Sequence, residues 1–183
     1  MRWDGLFADL AAQLDAAAAE ELADEVSDRS RREVARLHLL DRSALAAGAQ
    51  LSAGVAGAGT VAGRLQRSGP GWLLLAADTG ELLVCTDALT WVAGLPALAA
   101  DPETTPAVAR RLGLAYVLRG IAKDRSGVAI VLRDATVVTG TLDRVGADFV
   151  DLAEHAPGEP RRTGVVRGAR TLPFAAIAVV RPS

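Results

Sequence analysis

Hydrophobic residues recur along this chain with two different periods, and the change of period divides it. Trp3, Leu6, Phe7, Leu10 and Leu14 come at three- and four-residue spacing, loosely continued by Leu22 and Val26. Val34, Leu37, Leu40 and Leu45 form a second such stripe. This is the spacing of one helix face. No glycine or proline falls between Gly5 and Gly48, and Ala, Leu, Glu and Arg dominate the stretch, all strong helix formers. The pattern predicts a helical arm over 1–48. It is one long helix, or two joined near 27–30 with Asp28 or Ser30 as a cap.

After Gly48 the period shortens to two. Leu51, Ala53 and Val55 alternate with small or polar residues, as a half-buried strand requires. Gly57-Ala58-Gly59, Gly69-Pro70-Gly71 and Asp78-Thr79-Gly80 then punctuate strands at 60–67, 72–76 and 81–85, with a short fifth at 90–93. The stretch 101–106 reads as a linker into a helix over 107–123, capped by Thr104 or Thr105 with Pro106 in its first turn. Val108, Leu112, Ala115, Leu118 and Ile121 or Ala122 line one face of that helix. Strands return at 128–132, 136–145 and 148–153, and 172–180 closes the chain.

The second set of strands repeats the first. Gly63-Arg64-Leu65-Gln66-Arg67-Ser68-Gly69 leads to Trp72 and Leu75, and Gly140-Thr141-Leu142-Asp143-Arg144-Val145-Gly146 leads to Phe149 and Leu152. Both copies read Gly-x-Leu-x-Arg-x-Gly-x-x-aromatic-x-x-Leu. The stretch from Leu172 to Val180 matches Val84 to Val92 without a gap, pairing Ala88 with Ala176 and Leu89 with Ile177. Two matched blocks in one order, each after a helix, point to a duplicated module.

A helix followed by five short bent strands, with Gly-x-Leu in the second, resembles the Sm-like (LSm/Hfq-type, SH3-like barrel) family. The resemblance implies an α+β chain: an N-terminal helical arm and two tandem five-stranded barrels, each preceded by a helix. Its bounds are an arm over 1–48, a first barrel over 49–95, a linker and helix over 96–126 and a second barrel over 127–183. Members of that family form rings by edge-strand pairing, and many bind RNA in the pore. The acid that the family carries four residues after the motif's leucine is replaced here by Gly69 and Gly146, and the Asn of Sm proteins by Leu73 and Val150. Arg167-Gly168 is similar to the family's second motif, but lies in a stretch that the first copy lacks.

Composition narrows the function. A net charge of -2 disfavours a general polyanion binder. Lys123 is the only lysine and asparagine is absent, so the abundance of arginine reads as coding bias. Cys85 is the only cysteine and forms no intramolecular disulfide. Neither a signal-peptide layout nor a membrane-length apolar run is present, and a cytoplasmic protein with no membrane partner is expected. His38, His155 and Cys85 lack metal-ligand spacing, and His155 reads as an exposed loop residue. No phosphate loop or nucleophile elbow is found. No enzyme activity, cofactor or metal is expected.

Two candidate surfaces remain. Trp3, Phe7, Leu10 and Leu14 form an oligomer interface if the arm self-associates, with the acids of its first half (Asp4 to Asp28) meeting the later arginines (Arg29 to Arg42) of another copy, or of the same chain folded as a hairpin. Arg161, Arg162, Arg167 and Arg170 crowd the loop unique to the second copy, and Arg67 and Arg144 lie on the second strands. Converging, these arginines would hold phosphates. The expected role is that of a non-enzymatic interaction or scaffold protein with a protein partner or itself. The alternative is an RNA- or DNA-binding regulator using the arginine loop.

Overall fold

The computed structural model describes residues 3–100, 112–158 and 168–183. Contacts divide the chain into two units, Met1–His38 and Leu39–Ser183.

The first unit is a single helix, α1 (Trp3–Val34), unbroken through 27–30. Its last turns carry the i,i+3 and i,i+4 pairs Arg31–Asp28 (2.6 Å) and Arg29–Glu33 (3.2 Å). Basic residues at the C-terminal end complement the helix dipole. Phe7, Leu10 and Leu14 are exposed, as are Leu22, Val26 and Val34. The side chain of Trp3 lies outside the described residues.

Among the described residues the second unit holds two further helices, α2 (Leu39–Ala44) and α3 (Leu114–Asp124), and ten strands. The strands of the first copy are β1 (Gln50–Val55), β2 (Gly59–Gly69), β3 (Trp72–Ala77), β4 (Gly80–Cys85) and β5 (Leu89–Ala93). Those of the second are β6 (Gly127–Leu132), β7 (Val137–Val145), β8 (Phe149–Glu154), β9 (Gly168–Pro173) and β10 (Ile177–Pro182). They do not close into two barrels. They form one ten-stranded antiparallel sheet in the order β5-β1-β2-β3-β4-β10-β6-β7-β8-β9, which corrects the expectation of two closed barrels.

The reason lies at the centre of the sheet. Val84 pairs with Val179 and Leu83 with Val180, and all four side chains are buried. Two separate barrels would leave these apolar edges bare. A fully buried aliphatic side chain stabilises by roughly 1.5–3 kcal/mol, so four of them strongly favour the fused sheet. A single hydrophobic cluster accordingly draws on both copies, from Leu51 and Leu75 to Ile130 and Leu152.

Within that sheet the two halves share one plan. Each has the order fifth-first-second-third-fourth strand. A register shift follows Leu65 in β2 and Leu142 in β7, so a bulge bends both second strands at the same place. A single 3-10 turn, Thr86–Ala88 or Phe174–Ala176, precedes each fifth strand. Helix α2 packs on β2, and α3 on β7.

The doubled motif now has a physical meaning. A Cβ on Gly63 would stand 2.6 Å from the carbonyl oxygen of Ala76, and one on Gly140 2.1 Å from that of Ala153. Its first glycine therefore permits close strand approach. Its second lies under the aromatic ring, since a Cβ on Gly69 would meet Trp72 and one on Gly146 would meet Phe149. Leu65 and Leu142, between them, are core residues.

The helix expected over 107–123 is not continuous. Residues 101–111 lie outside the described residues, and Leu112 and Gly113 are not helical. Gly113 is extended (φ −70°, ψ 178°), and α3 begins at Leu114. The Trp72 indole donates a 2.7 Å hydrogen bond to the carbonyl of Leu112, which holds this entry segment out of the helix. Arg125 ends α3 in the left-handed region (φ 51°).

Candidate interaction surfaces

The described arginines of that set, Arg67, Arg144 and Arg170, do not come together on one surface. Arg161, Arg162 and Arg167 lie outside the described residues. Arg144, on β7, donates to Asp151 on β8, with Nη2 2.7 Å from Oδ2. Arg170, on β9, donates to Glu154 at 2.5 Å. Thr171 donates to the other oxygen of Asp151 at 2.6 Å. The Thr171 hydroxyl first, and then Arg144, hold the Asp151 carboxyl below its ordinary range. These arginines therefore stitch β7, β8 and β9 together, and their charge is compensated. Arg67, on β2, is exposed, and four strands separate it from Arg144 in the sheet.

Arg67 belongs to a different surface. A groove of about 750 Å³ runs between α2, β2, β3 and α3. Leu65, Trp72, Leu74 and Val117 give it an apolar lining, and Arg67, Arg119 and Lys123 stand around it. Among the described residues, no aspartate or glutamate lines it. Arg119 donates to the carbonyl of Gly146 at 3.1 Å, so it is oriented without being neutralised. Tyr116 is 59 % exposed at the same site. The apolar stripe of α3 runs along its inner face through Leu118 and Ile121. The spacing of Tyr116, Arg119 and Lys123 on the other face was the signal available for the groove.

The two outer strands form a second kind of surface. On β5, Thr90, Trp91 and Ala93 are exposed, and on β9 residues 168–171 are exposed. Trp91 pairs with Gly54 of β1, whose missing side chain makes room for the indole. The equivalent pair in the second half is Val131–Val179. Val179 is 2 % exposed between β6 and β4, whereas Trp91, with β1 on one side and no described strand on the other, is 47 % exposed.

The buried reactive groups are structural. Burial, and then the charge of Asp87, push the Cys85 thiol up to about 12, so the nucleophilic thiolate is suppressed. His155 is buried, which corrects the expectation of an exposed loop residue. Its Nδ1 lies 3.0 Å from the carbonyl of Ala156, and its Nε2 lies 2.8 Å from the hydroxyl of Thr141. Because a carbonyl only accepts, Nδ1 carries a proton, and in the neutral imidazole Nε2 accepts from Thr141. Thr141 is itself buried, so this pair fastens β7 to the end of β8. Among the described residues no three His, Cys, Asp or Glu side chains gather as a metal site. Among them, too, no helix is long and apolar enough to cross a membrane.

No protein-family model matches the chain. No curated protein matches it either.

Proposed function

We propose that this is a non-enzymatic, cytoplasmic interaction protein that associates with further copies of itself through the outer strands of its sheet. One observation carries the reading. The central junction joins the fourth strand of one half to the fifth strand of the other, β4 to β10. The unpaired outer strands are β9, a fourth strand, and β5, a fifth strand. Each copy thus carries both sides of a contact that it already makes internally. Unpaired strand edges are templates for another strand. Transferring the central register places Leu172 opposite Trp91 and Thr171 opposite Val92 of the next copy. Such a contact is heterologous and propagates head to tail. The doubled Gly-x-Leu motif supports Sm-like ancestry for each half. The RNA- or DNA-binding alternative loses support from the ion pairs of Arg144 and Arg170.

Hydrogen exchange on the full chain tests the pairing, because it reads each edge separately. Amides of β5 and β9 gain protection as protein concentration rises. Trp91→Lys blocks one edge and Thr171→Lys the other, and either variant alone loses the concentration dependence on both strands. Mixing the variants restores it on β9 of the Trp91→Lys chain and on β5 of the Thr171→Lys chain. Exchange at β5 and β9 that is independent of concentration refutes edge pairing. Protection of β5 in Thr171→Lys alone shows a symmetric contact and refutes the head-to-tail order.

A further inference from the structure

We infer that the groove beside α3 receives the N-terminal half of α1 from a second copy of this chain. Two complementary surfaces carry the inference, and neither is an edge strand. The groove is apolar, with Arg67, Arg119 and Lys123 around it and no carboxylate among its described lining residues. Three cations around an apolar trough call for an occupant with an apolar stripe and carboxylates beside it. The first half of α1 has that make-up. Phe7, Leu10 and Leu14 fall on one helix face by spacing and are exposed. By the same spacing Asp4 and Asp15 fall along one edge of that face and Asp9 on the far side, and no basic residue occurs between Arg2 and Arg29. The stripe from Phe7 to Leu14 spans about 10 Å, and α3 alongside the groove is about 16 Å long, so the lengths agree.

The rival occupant for this stripe is the basic end of another α1. That end is less available. Arg31 and Arg29 already pair with Asp28 and Glu33 of their own helix, whereas no described carboxylate lines the groove beside its cations. Charge complementarity therefore favours the groove.

Cysteine trapping in the full chain tests this. Chains carrying Leu14→Cys are mixed with chains carrying Gly120→Cys under mild oxidation, and Cys85 stays silent because it is buried. Ala12→Cys, on the opposite side of α1, is the control. The Leu14–Gly120 disulfide forms at least tenfold faster than the control. It slows about tenfold when Arg67, Arg119 and Lys123 are all changed to Glu, the loss expected for three surface ion pairs. All three positions are exposed, and circular dichroism checks that the variant folds. High salt slows the reaction in the unaltered groove as a second reading of the same charges. Equal rates for Leu14 and Ala12 overturn the proposal. Leu14–Leu14 disulfides in excess assign the stripe to another α1 and overturn it too. A chain bearing both cysteines that closes on itself at every dilution overturns the choice of a second copy. Trp91→Lys and Thr171→Lys leave the disulfide rate unchanged, which separates this contact from edge pairing.

Discussion

Replacing Gly140 by alanine probes the close approach of β7 and β8 on which the bent second strand depends. The new Cβ would lie 2.1 Å from the carbonyl oxygen of Ala153 and 2.9 Å from its carbon. Both are backbone atoms, so no side chain can swing away. Relief requires the strands to part by about 1 Å, against a normal spacing of about 4.8 Å, at the cost of ladder hydrogen bonds. Overpacking costs about 1–3 kcal/mol, and a buried backbone group left without its partner costs about 1–3 kcal/mol more. The lower conformational entropy of unfolded alanine returns about 0.5–1 kcal/mol. The net loss is about 1–5 kcal/mol, or roughly 2–20 °C in Tm for a chain of this size. Urea titration followed by tryptophan fluorescence measures it, since Trp72 is buried. Gly63→Ala, which meets Ala76 in the same way, loses a comparable amount. Gly120→Ala is the contrast. It lies in α3 with open space around it, and gains about 1 kcal/mol from helix propensity. A Gly140→Ala loss below about 1 kcal/mol, or a gain, would refute the close-approach account of the motif.

Two further outcomes are expected. Asp151, held below the ordinary carboxylate range by Thr171 and Arg144, adds stability that is present above that range and lost as pH falls through its folded value. The Tm difference between the protein and Asp151→Asn therefore stays constant at neutral pH and shrinks in acid, and a gap unchanged in acid contradicts the network. Cys85, pushed up to about 12 by burial, favours folding below the ordinary thiol pKa, and that contribution fades as pH rises towards 12. Iodoacetamide at pH 8 modifies it only as fast as the core opens, so the labelling rate tracks denaturant concentration. Stoichiometric labelling within minutes in native buffer would show the thiol to be accessible.

Local structure was written in the chain. Strands and turns depend on short-range rules, the two-residue alternation and the glycines of the turns, and these placed β1 to β8 at or beside their observed positions. The continuous α1 followed from a glycine- and proline-free run of helix formers. The repeat was legible because the same backbone constraints, a close strand approach and an aromatic ring over a glycine, recur in both halves. The candidate sites were less legible. Ion pairs such as Arg144–Asp151 and Arg170–Glu154 join neighbouring strands, and their pairing depends on strand register. The burial of His155 follows from Thr141, on a different strand.

What the sequence determined alone was the module: which residues form strands, where they bend and that the pattern occurs twice. Tertiary structure decided how the modules meet. The alternation of Val84 and Val179 marks each as a core residue, but not whether its neighbours belong to its own half or to the other. Only the folded chain pairs them across β4 and β10, because burying both apolar edges together removes more surface from water than closing each half alone. That same choice leaves β5 and β9 as the open ends of the sheet.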